Sequence, residues 1–393
     1  MKLQLLKFLS TMTMAGALLV PVGAAQSADG PRFITFDAPG AGTGAGQGTG
    51  CFAYTDCSVI INQWGAITGY YLDANNVFHG FVRSPNGAFT NFEAPGSDTT
   101  ANDYNGTLPN AINDAGAITG AYYDVSGVAH GFLRGPEGEF TTFDVPGSTG
   151  TVPIALNLQS DIVGLYVDQN GLNHAFLRRN DGSFATWSGP DACTSSSADE
   201  FCGGTAAFSI DIFGTVAGGF TDKNFVHHGL IRSPAGKLQT FDVPGAGTGG
   251  GQGTGCPGCS RALNVFGAIA SYYVDGENVV HGFLRTPAGA FITFDPPDEG
   301  PGGVGCAADC SIGLNDWGAI TGIYYDANNV VHGFLRRPEG SFATFEAPGA
   351  DTTANSYNGT FPVTINDQGT ITGFYLDANN VAHGFLLLPS DRD

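Results

Sequence analysis

Three features of the 393-residue sequence predict an all-β protein: a seven-bladed β-propeller of four-stranded antiparallel blades, its ring closed by the N-terminal strand. First, residues 62–96 (NQWGAITGYYLDANNVFHGFVRSPNGAFTNFEAPG) return six more times in degraded form. A histidine keeps the register at His79, His130, His174, His228, His281, His332 and His383, spaced 51, 44, 54, 53, 51 and 51 residues apart. Self-similarity at such a period marks a repeat architecture and overrides a domain count taken from length. Second, each copy reads as four short strands separated by turn residues. Third, the copies are permuted by one strand. The last copy stops after its third strand, and an orphan fourth strand precedes the first.

Within the first full unit, strand a ends at Ile61. Asn62-Gln-Trp-Gly65 then has Asn at the first and Gly at the last position of a type I turn. Strand b is expected at Ala66–Asp73, rich in β-formers. Ala74-Asn-Asn76 reverses the chain into strand c, Val77–Arg83. Ser84-Pro-Asn-Gly87 is a second tight turn, strand d is Ala88–Glu93, and Ala-Pro-Gly96 terminates the unit. Apolar residues on both faces of strand c imply a sheet covered on both sides. Gly69 and Gly80, which recur in most copies, imply close backbone approach within the strands.

The ends favour a propeller over an open solenoid, whose coils are usually shorter than ~30 residues. The chain finishes with His383–Leu388 and no strand d, and Phe33-Ile-Thr-Phe-Asp-Ala-Pro-Gly40 supplies one at the start. That permutation lets residues 33–37 complete the last blade, leaving no open end to aggregate. Expected repeats run about 33–96, 97–147, 148–190, 191–245, 246–297, 298–349 and 350–393 within a single domain, 26–393.

Residues 1–25 read as a secretory signal: Lys2 and Lys7, an apolar stretch from Phe8 to Val22, then Val-Gly-Ala-Ala25 at the cleavage site. Its apolar run is short for a membrane span, so the mature chain is expected to be secreted or periplasmic, in a bacterium, and monomeric. With 36 acidic against 15 basic residues, net −21, nucleic acid and anionic membranes are poor partners.

The tandem G-x-I-x-G-x-Y-x-D, H-[GA]-F-[LV]-R and F-x-x-F-[DE]-x-P-G motifs resemble the HAF-repeat family of bacterial extracellular proteins, whose name is spelled by His174-Ala175-Phe176. The resemblance covers essentially all of 33–393. It implies export and a propeller-like fold, and carries over no activity and no catalytic residue.

The eight cysteines form four local pairs in the d-to-a linkers: Cys51/Cys57, Cys193/Cys202, Cys256/Cys259 and Cys306/Cys310. An even count in an exported chain points to disulfides; a zinc site from Cys256, Cys259, Cys306 and Cys310 is the sharper, disfavoured reading. The periodic His is read as a half-buried structural group, and the Arg after His-Gly-Phe as the partner of strand-d acids such as Glu93 or Asp144. The Asp-x-Asn-Asn turns (Asp73/Asn75, Asp326/Asn328, Asp377/Asn379) are the candidate binding residues. They resemble fragments of calcium loops, although Asp and Asn are also what a β-turn wants. No reaction set stands out. Residues that depart from the repeat, namely His227 beside His228, Asp211 where other units have Asn, Asp161 and Trp187, are the weak catalytic candidates.

The sequence therefore predicts an exported binding module that needs no cofactor, with calcium the one candidate. Its expected binding face carries the b–c turns and long linkers, since variable loops on a rigid scaffold usually carry binding. The expected partner is an extracellular glycan, an envelope component or another protein. A propeller hydrolase or lyase acting on an extracellular polymer is the alternative.

Overall fold

The computed structural model describes residues 32–50, 58–102, 105–194, 203–255, 262–297, 299–300, 303–304 and 311–389. Its regular elements among these residues are all strands, and no helix is long and apolar enough to cross a membrane. The repeats fold alike. In the first, Val59–Ile61, Ile67–Leu72, Phe78–Arg83 and Phe89–Phe92 pair in sequence order, each antiparallel to the next. These are the expected strands a to d, trimmed by a residue or so. In the last repeat the strand Ala382–Leu388 pairs antiparallel with Arg32–Phe36, with Phe33 opposite Leu387 and Phe36 opposite Gly384. The orphan strand thus supplies the fourth strand of the final repeat.

The sheets stack face to face through phenylalanines. Strand b of the first repeat is buried along its whole length, as a sheet covered on both sides requires. Phe92, at the end of one strand d, packs on Phe132 and Phe140 of the next repeat at centroid separations of 6.2 and 6.0 Å. Phe36 stands in the same relation to Phe81 and Phe89. Each fully buried Phe contributes about 1.5–3 kcal/mol. Gly80 lies under the Phe92 ring, where a Cβ would come within 2.6 Å of a ring carbon, which accounts for its recurrence.

The arginines do not pair with the strand-d acids. Arg134 lies over the Phe92 ring at 5.0 Å, Arg285 over Phe241 at 5.2 Å and Arg336 over Phe294 at 5.2 Å, in each case a ring of the preceding repeat. A planar guanidinium stacks on an aromatic face and keeps its edge for hydrogen bonds; Arg134 Nη1 donates to the Gly135 carbonyl at 3.3 Å. The acids are already engaged by histidine, as described below.

The linkers hold the repeats by a Gly-Thr pair that the sequence reading passed over. Gly106 makes a parallel bridge to Phe78 of the preceding repeat, with φ of 136° and the Phe78 carbonyl 2.1 Å from where a Cβ would stand. Only glycine fits. The buried hydroxyl of Thr107 then accepts the Ala94 N–H at 3.0 Å. Thr49, Thr151, Thr205, Thr254 and Thr360 accept the corresponding N–H in their own linkers.

Candidate functional site

The histidines sit where the structural reading placed them. His79 is half-buried and stacked on Tyr71 at 5.0 Å. Its Nδ1 meets Glu93 and its Nε2 lies 3.5 Å from Asp73. Burial opposes protonation of His79, but the Glu93 hydrogen bond and the charges of Glu93 and Asp73 outweigh it and raise its pKa. The same direction holds at His130, His281, His332 and His383. In the eroded third repeat Ser188 replaces the acid and bonds His174 Nδ1 at 2.7 Å.

The Asp-x-Asn-Asn turns are self-contained. Asp73 Oδ1 accepts the N–H groups of Asn75 and Val77 at 2.8 and 2.9 Å, and Oδ2 accepts the Asn75 side-chain amide at 3.2 Å. Asp326 with Asn328, and Asp377 with Asn379, repeat this pattern. Burial works against ionisation of Asp73, yet the N–H donors prevail and hold its pKa below the usual value. These carboxylates are occupied in shaping their own turns. Among the described residues no group of three or more His, Cys, Asp or Glu side chains is arranged to hold a metal ion.

The weak catalytic candidates are not brought together. Asp211 follows the strand Thr205–Ile210 at an a–b turn, whereas His227 opens the strand His227–Arg232 at the b–c end. The strand Val216–Thr221 runs between those ends, so they are about 20 Å apart at ~3.3 Å per residue. His227 is buried, with Nδ1 3.1 Å from Thr221 Oγ1. Asp161 accepts the Asn180 N–H, and Trp187 lies under Arg232. Cys193 is buried; Cys51, Cys57, Cys202, Cys256, Cys259, Cys306 and Cys310 lie outside the described residues.

What the structure does assemble lies at the tight a–b turns. A cavity of about 370 Å³ is lined by residues from all the sequence repeats. An apolar layer comes from the ends of strand a, including Ile61, Ile112, Leu156, Ile210, Leu263, Leu314 and Ile365. Above it runs a belt of amides. Asn62 Nδ2 donates to the Asn113 carbonyl at 3.1 Å, Asn113 to Asn157 at 2.9 Å and Asn157 to Asp211 at 3.3 Å. Asn264 donates to Asn315, Asn315 to Asn366 and Asn366 back to Asn62, at 3.3, 3.2 and 3.3 Å. Each Asn Oδ1 also caps its own turn, as Asn62 does for the N–H groups of Trp64 and Ala66. One residue can therefore shape a turn and fasten the neighbouring repeat.

The rim above the belt is uneven. Asp114, Asp316, Asp367 and Gln63 occupy one arc, where side-chain oxygens accept backbone N–H groups of the adjoining repeat at 2.8–3.0 Å. Burial, then the charges of Asp367 and Asp114, raise the Asp316 pKa against the Val265 N–H that lowers it. Leu158, Ile212 and Val265 occupy the other arc. Among the described residues no Lys, Arg or His lines the cavity. At the third position of the turns stand Trp64, Phe213, Phe266 and Trp317, exposed by 72, 68, 66 and 70%. Trp317 Nε1 donates to the Asp367 carbonyl of the next repeat at 3.0 Å, which fixes one edge of its ring. In each of these turns the residue before the ring (Gln63, Ile212, Val265 or Asp316) lines the cavity, and the ring itself is exposed next to it in sequence; exposed large apolar groups can mark interaction sites. The sequence signal was present in the NQWG, DIFG, NVFG and NDWG turns, but a turn motif alone does not say whether its third residue points outward.

No protein-family model matches the chain, and no curated protein matches it. Among solved structures, the fold resembles the BP39L lectin of Burkholderia pseudomallei, at 10% identity over 85% of this chain and 97% of that one, with a TM-score of 0.52. Weaker likenesses include the six-bladed β-propeller lectin of Aleuria aurantia (14% identity, 70% and 88% covered, TM-score 0.39). Another is TolB of Acinetobacter baumannii (11%, 84% and 65%, TM-score 0.45). At such identities the likeness is one of fold.

Proposed function

We propose that this chain is a carbohydrate-binding module, a seven-bladed β-propeller closed by its N-terminal strand, and that it binds saccharide on the a–b turn face, at the cavity and the exposed rings of the turns that wall it. The observation that carries the reading is that four of the tight turns whose residues wall the cavity with amides and carboxylates also expose an aromatic ring, at Trp64, Phe213, Phe266 and Trp317. Sugars offer apolar ring faces to aromatic side chains and hydroxyls to such polar groups, the mixture that small-molecule sites provide. The fold likeness to a lectin points the same way. The b–c turn face, with its aspartates turned inward to their own backbones, supports binding less well.

The closed ring is supported by the Arg32–Phe36 pairing and by the Asn366-to-Asn62 hydrogen bond between the last and first repeats. Export, membership of the HAF-repeat family and disulfides within the four linkers are part of the same proposal. A glycan array read with the wild type and with the W64A/W317A double variant tests it. Binding of at least one saccharide class, weakened by about tenfold or more in the variant, is expected from losing two stacking platforms. Saccharide binding indifferent to both substitutions would overturn the choice of face. Turnover of a polymer would replace binding with the hydrolase or lyase alternative.

A further inference from the structure

The amide belt is broken at one junction. Asp211 stands where the other repeats have asparagine, so it has no amide to donate, and no hydrogen bond joins it to Asn264 in the next repeat. Its Oδ1 behaves like the asparagine oxygens, accepting the N–H groups of Phe213 and Thr215 at 2.9 and 2.8 Å. Its second oxygen takes the place of the amide nitrogen that elsewhere reaches the following carbonyl. That carbonyl, on Asn264, accepts only the Gly267 N–H, at 3.0 Å. Asp211 lines the cavity and is 6% exposed. Two acceptors thus occupy the one junction of the belt that lacks an amide donor, at the wall of the cavity, where a ligand can supply the donor.

The surroundings say what kind of donor fits. The turns that follow Asp211 and Asn264 are the ones that carry the exposed rings of Phe213 and Phe266. The rim between them is Ile212 and Val265, and among the described residues no cationic side chain lines the cavity. A metal ion would seek about six oxygen ligands, and this junction offers one carboxylate and one carbonyl. A protonated amine brings three donors and no acceptor. It gains a charge-assisted bond to the carboxylate and attraction to the aromatic faces.

We propose that the Asp211–Asn264 junction is a subsite for the free, protonated amino group of an amino sugar. The inference rests on the carbohydrate-binding reading and names the substrate class within it. An N-acetylated sugar lacks the charge and two of the three donors, so the subsite discriminates against it.

Calorimetric titration of the full chain with glucosamine tetramer and with N-acetylglucosamine tetramer at pH 6 tests this, alongside D211N and with methylammonium as a sugar-free probe. The expected result is binding of the free-amine tetramer about tenfold tighter than the acetylated one. D211N restores the belt amide and is expected to fold at least as well. It should bring the two ligands within about twofold of each other, and methylammonium should raise the Tm of the wild type alone. F213A and F266A should weaken the free-amine ligand more than the acetylated one. Equal affinities in the wild type, or a preference that survives D211N, would overturn the subsite. So would a complete lack of response to all three ligands. A methylammonium response confined to the wild type, with neither tetramer bound, would keep the amine subsite and refute the carbohydrate reading.

Discussion

At the residue scale, the chain uses one side chain for two tasks wherever it can. Each repeat His lies against the aromatic residue of strand b and beside an acid from the b–c turn, with a second acid from the end of strand d in every repeat but the third, where Ser188 stands in. This arrangement gives stability a pH dependence whose sign follows from the shifts. The pKa of His79, His130, His281, His332 and His383 is raised on folding. Their contribution is therefore full below the unfolded value of about 6.5 and is lost as pH rises through the folded values. The pKa of Asp73, Asp275, Asp326 and Asp377 is lowered. Their contribution is present above about 4 and is lost as pH falls through the folded values. Stability should accordingly be greatest at about pH 4.5–6.5. Thermal melts should give a Tm several degrees higher at pH 5.5 than at pH 8.5. A Tm that rises across that interval would contradict the assignment.

At the scale of the element, the four-strand unit was legible because turn chemistry and β-formers alternate so regularly that seven imperfect copies correct one another. The expected Asn62–Gly65 turn carries its i to i+3 hydrogen bond, Gly65 N–H to Asn62 carbonyl at 3.1 Å. Partnerships between side chains were less legible. An Arg and an acid recurring in the same unit suggest an ion pair, but the acids lie beside their own unit's His, and each Arg reaches back to an aromatic ring of the previous sheet. Sequence order hides contacts between repeats, and the Gly-Thr linker brace was missed for the same reason. Gly106 is one of its sensitive points. Gly106→Ala would set a Cβ against the Phe78 carbonyl in a backbone conformation that alanine resists, and should cost roughly 2–4 kcal/mol. Chemical denaturation reads this directly as a lower midpoint, and an unchanged midpoint would mean that the bridge does not form.

At the scale of the whole molecule, the strand Arg32–Phe36 pairs with Ala382–Leu388, joining the first and last described strands. Phe33 packs on Phe345 of the sixth repeat and on Phe385 of the seventh, so its loss would expose a sheet edge and open a phenylalanine stack. Deleting residues 26–40 should lower the Tm by about 5 °C or more, and a truncated chain that keeps the full-length Tm would refute closure by this strand. The fold could be read because repetition writes it many times. The face proposed for binding was not the one the sequence suggested, because loop length drew attention to the linkers, whereas the exposed aromatics sit on tight a–b turns. Only the assembled structure shows that the turns bearing Trp64, Phe213, Phe266 and Trp317 wall one cavity.

The chain holds three tryptophans: Trp64 and Trp317 exposed on the turns that wall the cavity, and Trp187 beneath Arg232. Acrylamide quenching of their fluorescence, with and without a bound saccharide, therefore tests the binding face most directly. Saccharide should shield Trp64 and Trp317, reducing the quenching of the wild type. The reduction should shrink in W64F or W317F, where one of the two reporters is gone. A saccharide that binds tightly while both exposed tryptophans stay as open to acrylamide as before would place its site elsewhere on the molecule.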